Sequence, residues 1–239
     1  MNQKPLGAVM VVGGGIAGMT SSLNMAEQGF EVSLIGATSE DVGAVLHAGD
    51  FGFSAETGQG MNLALAAARE RGIGFGRAIG EHILAEKHPH ADHSLLACCV
   101  QNDIPVTVHV AVGTDIIHQH PQADGAVTGE MSYRDFKLLA AVVADLGDGG
   151  LWLNVGSAVL LPEVFLKALS VAQNLGHKVK NFSTANFDMI QHYRPLQNVV
   201  KRPTAGGGKG FTITGHHEIN IPLLAALVHE GLAREEEGA

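Results

Sequence analysis

The sequence predicts an α/β protein in which a mostly parallel, doubly wound sheet carries helices on both faces. Three observations predict it. Short β-branched runs alternate with amphipathic segments along nearly the whole chain, the pattern of parallel strands joined by helical crossovers. The chain opens on an apolar run, a glycine turn and a helical segment in direct succession. Its 239 residues, 46% hydrophobic and 16% charged, suffice to bury a substantial core. A single domain is expected over residues 1–232, and residues 233–239, with the run REEEGA, read as a disordered tail.

Taken in order, Ala8 to Val12 is the first strand, closed by glycines. Ile16 to Gln28 reads as a helix, and Gln28-Gly29 turns into the strand Glu31 to Ile35. Helical spacing of apolar residues places helices at Ala55 to Arg71, Phe75 to Glu86 and His93 to Gln101. Pro105 to Val110 is β-branched and reads as a strand. Ser132 can cap a helix over Tyr133 to Leu146. The strand Leu151 to Val155 contains Trp152, expected to fill the core. Pro162 suits a first helical turn and opens a helix to Leu175. Lys180 to Ser183 and Phe211 to Thr214 are the last strands, and Ile221 to Leu232 is the last helix. Tyr193 and Arg194 fall in a proline-punctuated loop.

Composition excludes some functions. A formal net charge of -9 without a Lys/Arg cluster argues against nucleic acid, whose backbone is held by clustered cations. The apolar start at Val9 is broken by glycines after a few residues, too soon to span a bilayer, so no membrane partner and a cytoplasmic location are expected. Cys98 and Cys99 are sequence neighbours in an apolar run and are expected as a buried pair of free thiols.

Gly13, Gly15 and Gly18 form G-x-G-x-x-G between strand and helix. The first glycine permits the turn, the second lets backbone approach a pyrophosphate, and the third lets helix pack on strand. With the run VVGGGIAGM…AEQGFEV, residues 7–36 resemble the first βαβ unit of FAD-dependent oxidoreductases of the heterodisulfide reductase flavin-subunit type. Such units end their second strand on an acidic residue for the ribose; here Gly36 stands there.

Residues 37–232 resemble a different family, the deoxyhypusine synthase-like proteins. The stretches that carry the resemblance include TSEDVGA, HVAVGTDIIHQHPQADGA, SYRDFKLLAAVVADL, LNVGSAVLLPEVFLKAL, FSTANFDMIQHYRP, NVVKRPT and GGGKGFTITGHHEINIPLLAAL. The resemblance implies a Rossmann-like sheet, NAD as cofactor, a small amine substrate and a homo-oligomer. It further implies transfer of an aminoalkyl group from a polyamine or other amine through a lysine imine. Mapped residue by residue, it places Thr114 and Asp115 in a loop near the cofactor, Gly156 and Ser157 at a glycine turn, and Thr184 and Asp188 in a cofactor segment. His216, His217 and Glu218 stand at a further cofactor-contacting position, before the last helix. The nearest counterpart of the family's nucleophilic lysine is Lys209, without the tryptophan of the family motif, and the family's active-site histidine pair is replaced by Leu166-Lys167-Ala168.

On chemistry alone, Lys209 is a nucleophile, an anion contact or a solvated loop residue, since an amine reacts only when its pKa is lowered. His118 and His120, with His109, His216 and His217, stand at or near strand ends. They suit polar contacts to substrate or cofactor, with zinc-type ligation as the alternative; no helix-borne ligand pair is present, and no metal is assigned. The sequence thus reads as two pieces joined near Gly36. The leading expectation is an NAD-dependent aminoalkyl transferase with Lys209, His118 and His120 as catalytic residues. Alternatives are an FAD or NAD(P)-dependent oxidoreductase using the N-terminal glycines, and a noncatalytic dinucleotide-binding or assembly module.

Overall fold

The computed structural model describes residues 10–13, 47, 55–87 and 91–237, in two compact units, Met1–Val142 and Val143–Ala239. The expected helix Ile16 to Gln28 and strand Glu31 to Ile35 lie outside the described residues. The class is mixed α/β with parallel pairing. The described strands form two sheets, of two and three strands.

In the first unit, β1 (Met10–Gly13) pairs in parallel with β2 (Val106–His109), in register from Met10 opposite Val106 to Gly13 opposite His109. Around them run α1 (Ala55–Ala68), continued by a 3-10 turn to Arg71, α2 (Phe75–Ala85), α3 (Leu95–Gln101) and α4 (Gly125–Ala144). Residues at helical spacing make the core: Leu65 and Ala68 of α1, Phe75, Ala78 and Ile79 of α2, and Val127 and Met131 of α4. Gly76 and Gly80 share one face of α2, and a Cβ on either would stand 2.5 Å from the carbonyl oxygen of Val106 or Leu96. Their missing side chains therefore seat α2 on β2 and α3 at once.

Two expectations are corrected at helix starts. Helix α3 begins after Ser94, whose Oγ accepts from Ala97 N at 3.3 Å, so His93 belongs to the preceding 3-10 turn. Helix α4 begins at Gly125 because Asp124 Oδ1 accepts from Ala126 N (2.7 Å) and Val127 N (3.2 Å). Ser132 is thus no cap but an interior residue, and its hydroxyl is used elsewhere. Of the two thiols only Cys99 is buried, which pushes its pKa up; Cys98 is exposed, so the expected buried pair is split across two sides of α3.

In the second unit, β3 (Leu151–Val155), β4 (Phe182–Asp188) and β5 (Gly208–Thr214) form a parallel sheet in sequence order. Helix α5 (Leu160–Asn174) links β3 to β4. A helical turn, α6 (Tyr193–Pro195), runs into a π-helix (Leu196–Lys201) before β5, and α7 (His217–Glu237) follows β5. Tyr193 and Arg194 therefore lie in a helical turn, with Arg194 Nε 3.3 Å from Glu163 Oε1. Helix α7 continues through residues 233–237, the start of the expected tail.

The register sorts the sheet into two faces. Trp152, Thr184 and Gly210 share one, against α5 and the π-helix: Trp152 stacks on Phe165 at 4.0 Å and 10°, and Thr184 Oγ1 donates to Val199 O at 2.8 Å. Leu153, Ala185 and Phe211 share the other, where the outer strands are exposed.

Candidate functional site

Parallel strands gather their ligands beyond their carboxyl ends, and in the second unit that edge carries a row of polar side chains. Asn154 and Asn186 are register partners on β3 and β4, both almost fully buried. Asn154 Nδ2 donates to Asn186 Oδ1 (2.7 Å) and to Ser157 O (2.9 Å); Asn186 Nδ2 donates to Gln191 Oε1 (2.8 Å). Gln191 Nε2 in turn donates to Thr214 Oγ1 at 3.1 Å, at the end of β5. One hydrogen-bonded row thus spans all three strand ends. Asn154 Oδ1 is buried and has no hydrogen-bond partner among the described residues.

Several sequence-predicted residues meet at this ledge. Gly156 turns the chain after β3 with φ of +69°, which favours glycine, and its N–H donates to Phe187 O at 3.0 Å. Ser157 Oγ accepts from Leu161 N at 3.1 Å and fixes the start of α5. Asp188 ends β4, where its backbone oxygen accepts from Gly215 N at 3.2 Å. His216 follows β5, and His217 and Glu218 form the first turn of α7. Thr184 lies deeper: it is fully buried near the middle of β4, with its hydroxyl committed to the π-helix.

Lys209 stands at the opposite edge. It is the second residue of β5 and pairs with Ser183, so Thr214 lies five positions further along, roughly 16 Å of strand away. The expected strand start at Phe211 is corrected to Gly208, which draws Lys209 out of a loop and into the ladder.

In the first unit, Gly13 ends β1 beside His109, whereas Gly15 and Gly18 lie outside the described residues. The loop after β2 is held by its own side chains. Thr114 Oγ1 donates to Ala111 O (2.7 Å), and His118 Nδ1 accepts from Gly113 N (3.1 Å) and Asp115 N (3.3 Å). His120 Nδ1 accepts from Gln122 N at 3.2 Å, and its ring packs so closely on Gly58 that a Cβ there would stand 2.8 Å from Cδ2. These rings close the loop that sequence assigned to catalysis. Among the described residues no group of three or more His, Cys, Asp or Glu is placed to hold a metal ion.

Sequence reasoning missed a buried carboxyl group of this unit. Asp135 of α4 is fully buried, and its Oδ2 accepts from Val108 N (2.7 Å) and from Gly76 N (2.9 Å) at the start of α2. One turn away, Ser132 Oγ accepts from Val110 N and donates to Val108 O, both at 3.1 Å. Two side chains of a helix thus bond the outer edge of β2 as a neighbouring strand would. The signal was legible: Asp135 interrupts the apolar stripe Met131 and Leu139 at helical spacing. Asn154 was likewise visible as a lone amide inside the otherwise apolar strand Leu151–Val155.

Burial pushes the Asp135 carboxyl from its ordinary 3.8 up to about 6 and the His109 imidazole from 6.5 down to about 4. The consequences oppose each other. On acidification the folded chain protonates Asp135 before the unfolded chain does, which adds roughly 3 kcal/mol, complete below pH 3.8 and lost as pH rises through 6. The unfolded chain protonates His109 first, which removes roughly 3 kcal/mol as pH falls from 6.5 through 4. Urea unfolding at several pH values between 4 and 7 is therefore expected to show Asp135→Asn losing stability on acidification more steeply than the native chain, and His109→Gln less steeply. Equal slopes in all three proteins would refute the pairing.

Comparison with protein-family models, curated proteins and solved structures finds no match to this chain.

Proposed function

We propose that the ledge of β3, β4 and β5 holds the nucleoside part of an NAD-type dinucleotide, in a Rossmann-like protein of the deoxyhypusine synthase-like kind. The observation that carries this reading is the hydrogen-bonded row from Ser157 through Asn154, Asn186 and Gln191 to Thr214, laid across three parallel strand ends. Strands paired in sequence order and joined by helical crossovers correspond to one half of a doubly wound dinucleotide fold. Asp188 supplies a carboxylate suited to ribose hydroxyls or a cationic amine, and the unmatched Asn154 Oδ1 supplies an acceptor for a ligand donor. The fit is to the nucleoside rather than to the pyrophosphate. The start of α5 spends the Leu161 N–H on Ser157, has no N–H at Pro162 and carries the negative Glu163. NAD, when bound, supplies a hydride acceptor; the residues named here bind and orient it.

Lys209 divides this reading from a transferase. An imine at Lys209 would form at the amino edge of the sheet, away from the ledge, so its placement favours dinucleotide binding without lysine chemistry there. A homo-oligomer, the other expectation of the resemblance, would bury the apolar face formed by Leu151, Leu153, Val155, Phe211 and Ile213, all exposed in the single chain.

Calorimetric titration with NAD is expected to give saturable heat, weakened at least tenfold by Asp188→Ala and unaltered by Lys209→Ala. No heat with the native chain removes the reading. NADH absorbance that rises with an added amine and disappears in Lys209→Ala would restore the transferase.

A further inference from the structure

We infer that the amino edge of the second unit's sheet carries a binding site for a small phosphate-bearing anion, separate from the ledge. A cavity of about 340 Å³ opens there between α5 and the turns that lead into β4 and β5. Leu166, Leu169 and Ser170 of α5 form one wall; Lys180, Arg202 and Gly207 form the other.

The charge of the lining runs against that of the chain. The protein has 24 acidic residues against 15 Lys and Arg, yet this cavity is lined by two cations and no carboxylate. The arginine is itself exceptional. Arg69, Arg71, Arg77, Arg134, Arg194 and Arg234 each form an ion pair, whereas Arg202, alone of the described arginines, has none among the described residues. Its Nη1 donates instead to the neutral amide Asn198 Oδ1 at 2.6 Å, which steadies the guanidinium without neutralising it. Lys180 also has no ion pair among the described residues, although the backbone of Asp148 is near: Asp148 N donates to Lys180 O at 2.7 Å, and the Asp148 carboxylate is engaged by Asn181 Nδ2 at 3.1 Å.

A guanidinium held by one nitrogen keeps further donors in a planar fork that matches two phosphate oxygens, and an ammonium adds a point charge from another side. The glycine run before β5 keeps this wall low. A Cβ at Gly206 would meet nothing within 4 Å, and Gly207, with φ of +115°, sits where a Cβ would press on Asn181 Oδ1. Ser170 and Gln173 add polar side chains on the helical wall. The volume exceeds that of a bare phosphate, so a phosphate monoester on a small carbon skeleton is the class of ligand the cavity takes.

The test titrates the full chain with inorganic phosphate and with glycerol 3-phosphate, each against sodium chloride of equal ionic strength, and reads binding by calorimetry. Saturable binding of either anion that chloride does not reproduce is expected; tighter binding of glycerol 3-phosphate assigns the ester, and equal binding assigns free phosphate. The double variant Lys180→Gln, Arg202→Gln should weaken binding at least tenfold, while Lys180→Arg, Arg202→Lys retains most of it. NAD heat at the ledge and the circular dichroism melt monitor the fold of each variant. No saturable binding by the native chain, or equal binding by the glutamine variant, overturns the site.

Discussion

Replacing Asp135 by alanine is expected to destabilise the first unit by roughly 2–6 kcal/mol at pH 5. The Asp135 carboxyl group accepts from two backbone N–H groups, Gly76 at 2.9 Å and Val108 at 2.7 Å, in a place water does not reach. Each buried donor left without a partner costs about 1–3 kcal/mol. The loss should be smaller at pH 7, because there the native carboxylate is ionised and its own burial already weighs against the fold. Asp135→Asn keeps an acceptor and should cost less than the alanine at pH 5. The carboxylate also lies against Gly74, where any Cβ would overlap it, so Gly74→Ala is expected to disturb the same joint from the other side. Urea denaturation with hydrogen exchange at Gly76 and Val108 checks the account. An alanine variant of native stability, with those two amides as protected as before, would contradict it.

Phe165→Ala should cost roughly 3–5 kcal/mol in the second unit, the usual range for emptying a core aromatic. Phe165 is fully buried on α5 and stacks on Trp152 of β3 at 4.0 Å and 10°, so it fastens the crossover helix to the first strand of its sheet. Trp152 is the only tryptophan, which makes the contact directly readable. Its emission should shift to the red as water reaches the indole, in parallel with the lower denaturation midpoint. Phe165→Leu, which fills most of the volume, should lose less stability and shift emission less. An alanine variant with unshifted emission and an unchanged midpoint would show that the stack does not hold α5.

Element identity was legible where local chemistry is strong. The helical segments ending at Gln101 and Leu146 and the β-branched stretch at Val106 were read as the right element types, and the side chains that set the helix starts, Ser94 and Asp124, act through bonds made within three residues. The misplaced starts follow the same logic. Ser132 looks like a cap because serine commonly is one, but Asp124 caps α4 first, and the Ser132 hydroxyl is then free to bond β2. Cys98 and Cys99 look alike in an apolar run, yet a helix turns adjacent residues by about 100° and exposes one of them.

The sequence by itself determined the α/β class, the alternation of strands and helices, and the glycine turn after β3, since periodicity, capping and positive φ are local properties. Only the tertiary structure decided what those elements present to one another. Strand register set Asn154 beside Asn186 and built the polar ledge; strand direction sent Lys209 to the far edge from Asp188; and helix packing drove a carboxylate onto the edge of β2. Each of these depends on pairing residues distant in the chain, where a shift of one position along a strand turns every side chain to the opposite face.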